Sequence, residues 1–143
     1  MTTPTLTKNF PKHVAVIGAA GGLGQGILSV CREENIGFTA IVRSRPERIK
    51  DIPHGSRVEL VSSLTDVDGL TKAFMGADAV ISAMGVTKSS KDKSALLSAN
   101  VSNIETAMKK ASVDRLLLTN TVIASQPGKP ASFLMRFFSW FPG

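Results

Sequence analysis

The chain has 143 residues, 43% of them hydrophobic and 20% charged, with one cysteine, no tyrosine and a formal charge of +6. That length and composition describe one ordinary globular domain; they exclude a disordered chain and an intrachain disulfide framework, and no run approaches the roughly 18 apolar residues of a membrane span. The basic residues are scattered, and without tyrosines to interleave as stacking platforms they do not compose a nucleic-acid surface.

The opening "MTTPTLTKNFPK" lacks the continuous apolar core of a signal peptide, and the lone cysteine suits a reducing compartment, so a cytoplasmic protein is expected. "HVAVIG" (13–18) then reads as a buried strand. A helix over 22–35 follows, with Leu23, Ile27, Leu28 and Cys31 recurring at helical spacing. "FTAIVR" (38–43) is a second strand, followed by a short helical turn around "PERIK" and a third strand, "RVELVS" (57–62). Asp66 is the expected N-cap of a helix over 67–75. "DAVISAM" (78–84) is the fourth strand, 93–111 a long helix and "DRLLLTN" (114–120) the fifth strand. A Pro/Gly-rich loop and an apolar tail occupy 126–143.

Strand and helix alternating at this spacing predict crossover units and an α/β doubly wound parallel sheet, ordered 3-2-1-4-5, in a single domain over 1–143. Strands this uniformly apolar are covered on both faces. Ligands of such sheets bind beyond the carboxyl ends of strands one and four.

Five glycines fall between Gly18 and Gly26, where the first strand passes into the first helix. Gly18, Gly21 and Gly24 form G-x-x-G-x-x-G, with Gly22 and Leu23 between them. In that setting glycine allows a tight turn and a close approach to a pyrophosphate, while the helix N-terminus supplies amide donors and the positive end of its dipole. An NAD-preferring site carries an acid at the end of strand two. Here Arg43, Ser44 and Arg45 stand there instead, and no carboxylate occurs before Glu47. Arginine binds a phosphate bidentately, so these three residues are the expected clamp for a 2′-phosphate and NADP is the expected cofactor.

"GAAGGLG", "VRSRPER" after strand two, "SSLTD" after strand three, "ADAVISAMG" at strand four and "NVSNIETAMKKASVDRLLLTN" together resemble the atypical, NmrA-like short-chain dehydrogenase/reductases, including the flavin and biliverdin-IXβ reductase branch. The resemblance implies that Gly18, Gly21, Leu23 and Gly24 line the pyrophosphate and Arg43 binds the 2′-phosphate. It places Leu64 beside the adenine, and Ala83, Met84 and Gly85 beneath the ribose and nicotinamide. It also marks departures. Ser63 stands where members often carry Asp, Asn120 and Thr121 replace two serines, and members usually continue with a sixth strand, so the chain reads as shortened at its C-terminus.

With no tyrosine, the Tyr-x-x-x-Lys acid of the wider superfamily is excluded. His13 and His54 lie far apart and Cys31 falls in a helix, so no metal set is expected; His13 reads as a surface residue and Cys31 as a small core residue. Hydride transfer by positioning remains, with Thr121 the candidate to hydrogen-bond a substrate carbonyl and Asn120 assisting. Either side chain would equally serve to satisfy backbone groups at the strand end. Lys88, Lys91 and Lys93 would draw in an anionic substrate or simply be solvated. Three activities stay open: a reductase of a small carbonyl, quinone or flavin-like substrate, a non-catalytic NADP(H) sensor, and a non-redox isomerase or cyclase. The tail "FLMRFFSWFPG" is apolar nearly all round as a helix, which predicts either a cover over the substrate side or a homo-oligomer contact.

Overall fold

The β-branched and small apolar runs of this chain lie side by side as one parallel sheet. In the computed structural model, which describes residues 10–84 and 93–119 (93–99 as backbone only), the strands are β1 (His13–Ile17), β2 (Gly37–Val42), β3 (Arg57–Leu60), β4 (Ala79–Ser82) and β5 (Leu116–Leu118). Their order is β3-β2-β1-β4-β5, as expected from the alternation of elements. Three helices connect them: α1 (Gly22–Glu33), α2 (Val67–Phe74) and α3 (Lys93–Ala111), with a 3-10 turn at Pro46–Arg48 where the sequence suggested a short helical turn. Ile17 pairs with both Ile41 and Ser82, which brings the carboxyl ends of β1, β2 and β4 level.

Alternate side chains of each strand point to opposite faces, and each face finds its own helices. Val14, Val16, Phe38, Ala40 and Val42 pack with Ile27, Leu28 and Cys31 of α1. On the other face Ala15, Ile17, Ile41 and Val80 pack with Leu70 and Phe74 of α2 and Ile104 and Met108 of α3. Leu23 departs from the helical pattern: it is 40% exposed, and Gly24 holds the buried position in its place. Edge strand β3 is only half-buried and carries the Arg57–Glu59 ion pair (3.2 Å), so the two-sided burial expected of every strand holds for the inner ones. Arg57 reaches on to the carbonyls of Lys72, Ala73 and Met75, closing the C-terminus of α2. Beyond β5 the Thr119 amide and hydroxyl both donate to the Ser82 carbonyl (3.1 and 2.7 Å). Among the described residues no helix is long and apolar enough to cross a membrane.

Since β1 is flanked by β2 and β4, successive connections leave it in opposite directions. Such sheets hold their ligands beyond the carboxyl end of a strand so placed.

Candidate functional site

The turn after β1 is built by two glycines with different jobs. Gly18 has φ +75°, and its amide and that of Ala19 both donate to the Ile41 carbonyl at the end of β2 (3.2 and 3.3 Å). A Cβ at Gly24 would lie 2.2 Å from the Gly18 carbonyl oxygen and 2.6 Å from Ala19 Cα, so only glycine lets α1 start this close to the strand it follows. Gly21 and Gly22 differ. The nearest atom to a Cβ at Gly21 would be at 3.5 Å, and nothing lies within 4 Å of one at Gly22. Both are exposed, so the loop's outer side is open space.

That open space faces the start of a 12-residue helix. The first amides of a helix have no partner within it. Gly21, the N-cap of α1, has no side chain to satisfy them, and the first turn holds no acid to offset the positive end of the dipole. In α2, by contrast, the Asp66 carboxylate accepts from the Gly69 amide (2.9 Å), as its sequence position predicts. Of these two helices, α2 is capped by its own side chain and α1 presents bare amides. Bare amides beside a glycine turn are an anion seat.

Around this seat the structure gathers most of the residues singled out from sequence. The Ala83 amide donates to the Ile17 carbonyl (2.9 Å), and a Cβ on Gly18 would stand 3.3 Å from the Ala83 carbonyl and Met84 Cγ, so β4's end forms the floor beside the turn. Leu64, half-buried after β3, packs with Met84 against the α2/α3 face of the core. Ser63 spends its hydroxyl locally on Thr65 (2.8 Å). Arg43, Ser44 and Arg45 leave β2 just after Ile41 and Val42 and are exposed. Among the described residues neither Arg43 nor Arg45 has an ion pair or side-chain hydrogen bond. Arg45 takes φ +55° immediately before Pro46, a left-handed conformation costing roughly 1–3 kcal/mol that the surroundings must hold in place. Gly85, Asn120, Thr121, Lys88, Lys91 and the apolar tail lie outside the described residues; Lys93 is the first residue of α3.

Two groups near β2 escaped sequence reasoning. Gln25 Nε2 donates to the Arg48 carbonyl (3.1 Å), and the Arg32 guanidinium donates to the carbonyls of Asp51 (2.9 Å) and Lys50. The only signal in the sequence is their spacing of seven, two turns on one helix face. His13 is no plain surface residue: its ring is half-buried and pairs with the hydroxyl of fully buried Thr39 (2.8 Å). Burial, then the charge of Arg57, hold its pKa below the usual histidine value against an opposing pull from Asp78. It sits at the amino end of β1, opposite the glycine turn. Cys31 is a core residue as expected, fully buried, with its thiol pushed up to about 12 by that burial. Among the described residues no group of three or more His, Cys, Asp or Glu is placed to hold a metal ion.

Comparison with known proteins bears on what the seat holds. Residues 18–140 match the model of a family described as NAD(P)H-binding. The chain belongs to this NAD(P)H-binding family. The match begins at the first glycine of the turn and runs through β5. A Rossmann-fold NAD(P)-binding family protein from Shigella flexneri superposes with a TM-score of 0.58 at 23% identity, over 73% of this chain and 49% of that one. A candidate epimerase from Bacteroides thetaiotaomicron gives 0.61 at 30% identity, over 76% and 46%. A short-chain dehydrogenase/reductase from Veillonella parvula gives 0.58 at 18%, over 92% and 57%. The chain thus spans about half the length of these solved structures. No protein of curated function matches it.

Proposed function

We propose that the chain binds NADP(H) in preference to NAD(H) and, as an atypical short-chain reductase, directs hydride to a small carbonyl, quinone or flavin-like substrate. One observation carries the cofactor assignment: the uncapped amides of α1 adjoin a strand end where two arginines without an ion pair among the described residues stand and no acid does. The amides and Gly18, Gly21, Gly22, Leu23 and Gly24 hold the pyrophosphate, Arg43, Ser44 and Arg45 the 2′-phosphate, and Leu64 lies against the adenine. Ala83, Met84 and Gly85 support the ribose and nicotinamide. A charge-assisted hydrogen bond contributes roughly 1.5–3 kcal/mol, enough for a single arginine to decide between the two cofactors by tenfold or more.

When bound, the reduced nicotinamide supplies the hydride. The chain orients the acceptor: Thr121 donates a hydrogen bond to its oxygen and Asn120 assists, while solvent supplies the proton. The apolar tail pairs subunits, and the protein works in the cytoplasm. Following NADPH absorbance against a panel of aldehydes, quinones and flavins tests this. Oxidation is expected with at least one class, slowed in Thr121→Val with NADPH affinity unchanged. Binding without oxidation of any acceptor makes the chain a sensor of the cofactor instead. The epimerase among its structural neighbours favours a second activity, a cofactor-dependent isomerisation with no net NADPH consumption.

A further inference from the structure

Arg45, the second of the strand-two arginines, opens a loop that helix α1 holds from outside. Between Arg45 and Asp51 the backbone takes two left-handed turns at non-glycine residues, φ +55° at Arg45 and +52° at Asp51, with the 3-10 turn between them. Such a loop does not keep its shape through its own hydrogen bonds, which are only Arg48 to Arg45 and Ile49 to Pro46 (3.1 Å each). It is pinned at four successive residues. Gln25 takes the carbonyl of Arg48, the Ile49 side chain is buried in the α1 face of the core, and Arg32 takes the carbonyls of Lys50 and Asp51. Arg32 is itself steadied over the buried Phe38 ring, 5.5 Å from its centroid. Ile49 supplies apolar burial. The Gln25 and Arg32 side chains supply direction, and their hydrogen bonds go to this loop rather than to the glycine turn.

We propose that Gln25 and Arg32 are specificity-positioning residues. By fixing the 45–51 loop from the far side, they hold Arg43 and Arg45 ready for the 2′-phosphate and so set the NADP/NAD preference without touching either cofactor. This rests on the assignment of Arg43 and Arg45 to the 2′-phosphate. Holding them beforehand removes the ordering cost that binding would otherwise meet. That cost would weigh on the phosphorylated cofactor, because only NADP carries the 2′-phosphate that Arg43 and Arg45 would hold.

The test is calorimetric titration of NADP+ and NAD+ into the wild type, Gln25→Leu, Arg32→Met, Arg32→Lys and Arg43→Ala. Gln25→Leu removes no charge, so its effect is separable from long-range attraction. NADP+ affinity should fall about fivefold or more in Gln25→Leu and in Arg32→Met while NAD+ affinity stays within about twofold, each factor of ten being a constant increment in binding free energy. Arg32→Lys keeps the cation over Phe38 and one donor, and should recover part of the loss. Equal weakening of both cofactors, or an unchanged ratio in Gln25→Leu and Arg32→Met while Arg43→Ala collapses it, overturns the positioning role and leaves the clamp standing. An unchanged ratio in Arg43→Ala overturns the clamp, and the positioning role with it.

Discussion

Glycine inside a helix ordinarily weakens it, by roughly 0.5–1 kcal/mol relative to alanine, because the chain surrenders more freedom on folding. Gly24 and Gly26 lie two residues apart on α1 and separate that general effect from a local one. At Gly26 nothing lies within 4 Å of an added Cβ, so Gly26→Ala should stabilise the fold by about the helix-propensity difference. At Gly24 the added carbon meets backbone at 2.2 Å, and backbone cannot swing away as a side-chain tip can. Gly24→Ala should therefore reverse the sign, costing about 1–3 kcal/mol, a fall of several degrees in Tm for a chain of this size. Thermal unfolding of the two variants checks both directions; a stabilised Gly24→Ala would mean that α1 does not pack on the β1 turn as described. The three motif glycines thus divide their work. Gly24 answers to its own fold, Gly18 to a left-handed turn against Ala83, and Gly21 to the exposed side of the turn.

Helix ends differ in what satisfies them, and that difference marks the site. Asp66 caps α2 with its carboxylate, and Asp66→Ala should lose about 1 kcal/mol of stability, read as a lower denaturant midpoint with an unchanged slope. No such cost attaches to the cap of α1, where Gly21 has nothing to remove. Existence and order of the elements were legible in the sequence because each carries a strong local signal: β-branched runs, helical spacing, an Asx cap, a glycine turn. Strand ends were less so. "DRLLLTN" reads as seven residues of strand, yet β5 is Leu116–Leu118, since pairing with β4 ends at Ser82 and Thr119 turns its hydroxyl to the Ser82 carbonyl. The glycine turn and the absence of an acid after β2 were legible for the same reason: both are contiguous. Gln25 and Arg32 reach carbonyls 18 to 23 positions away, and the His13–Thr39 pair joins two neighbouring strands, so beyond the shared helix face of Gln25 and Arg32 no local pattern announces either.

At the scale of the molecule, one sheet places two kinds of positive feature at the same end: the bare amides of α1 after β1, and Arg43 and Arg45 after β2. They come from different elements and, in the function proposed above, would serve different parts of one ligand, the shared pyrophosphate and the single phosphate that distinguishes NADP from NAD. The chain belongs to an NAD(P)H-binding family; in the function proposed above, charge after β2 sets which of the two cofactors it prefers. The chain's excess of positive charge, +6 overall, adds steering toward either anion but does not by itself discriminate between them. Discrimination needs groups at a fixed place. Side-by-side calorimetric titration of the full chain with NADPH and NADH, at matched ionic strength, tests this most directly. NADPH should bind at least about tenfold more tightly, since one charge-assisted bond contributes roughly 1.5–3 kcal/mol, whereas equal affinity for the two, or tighter binding of NADH, contradicts the assignment of Arg43 and Arg45 to the 2′-phosphate.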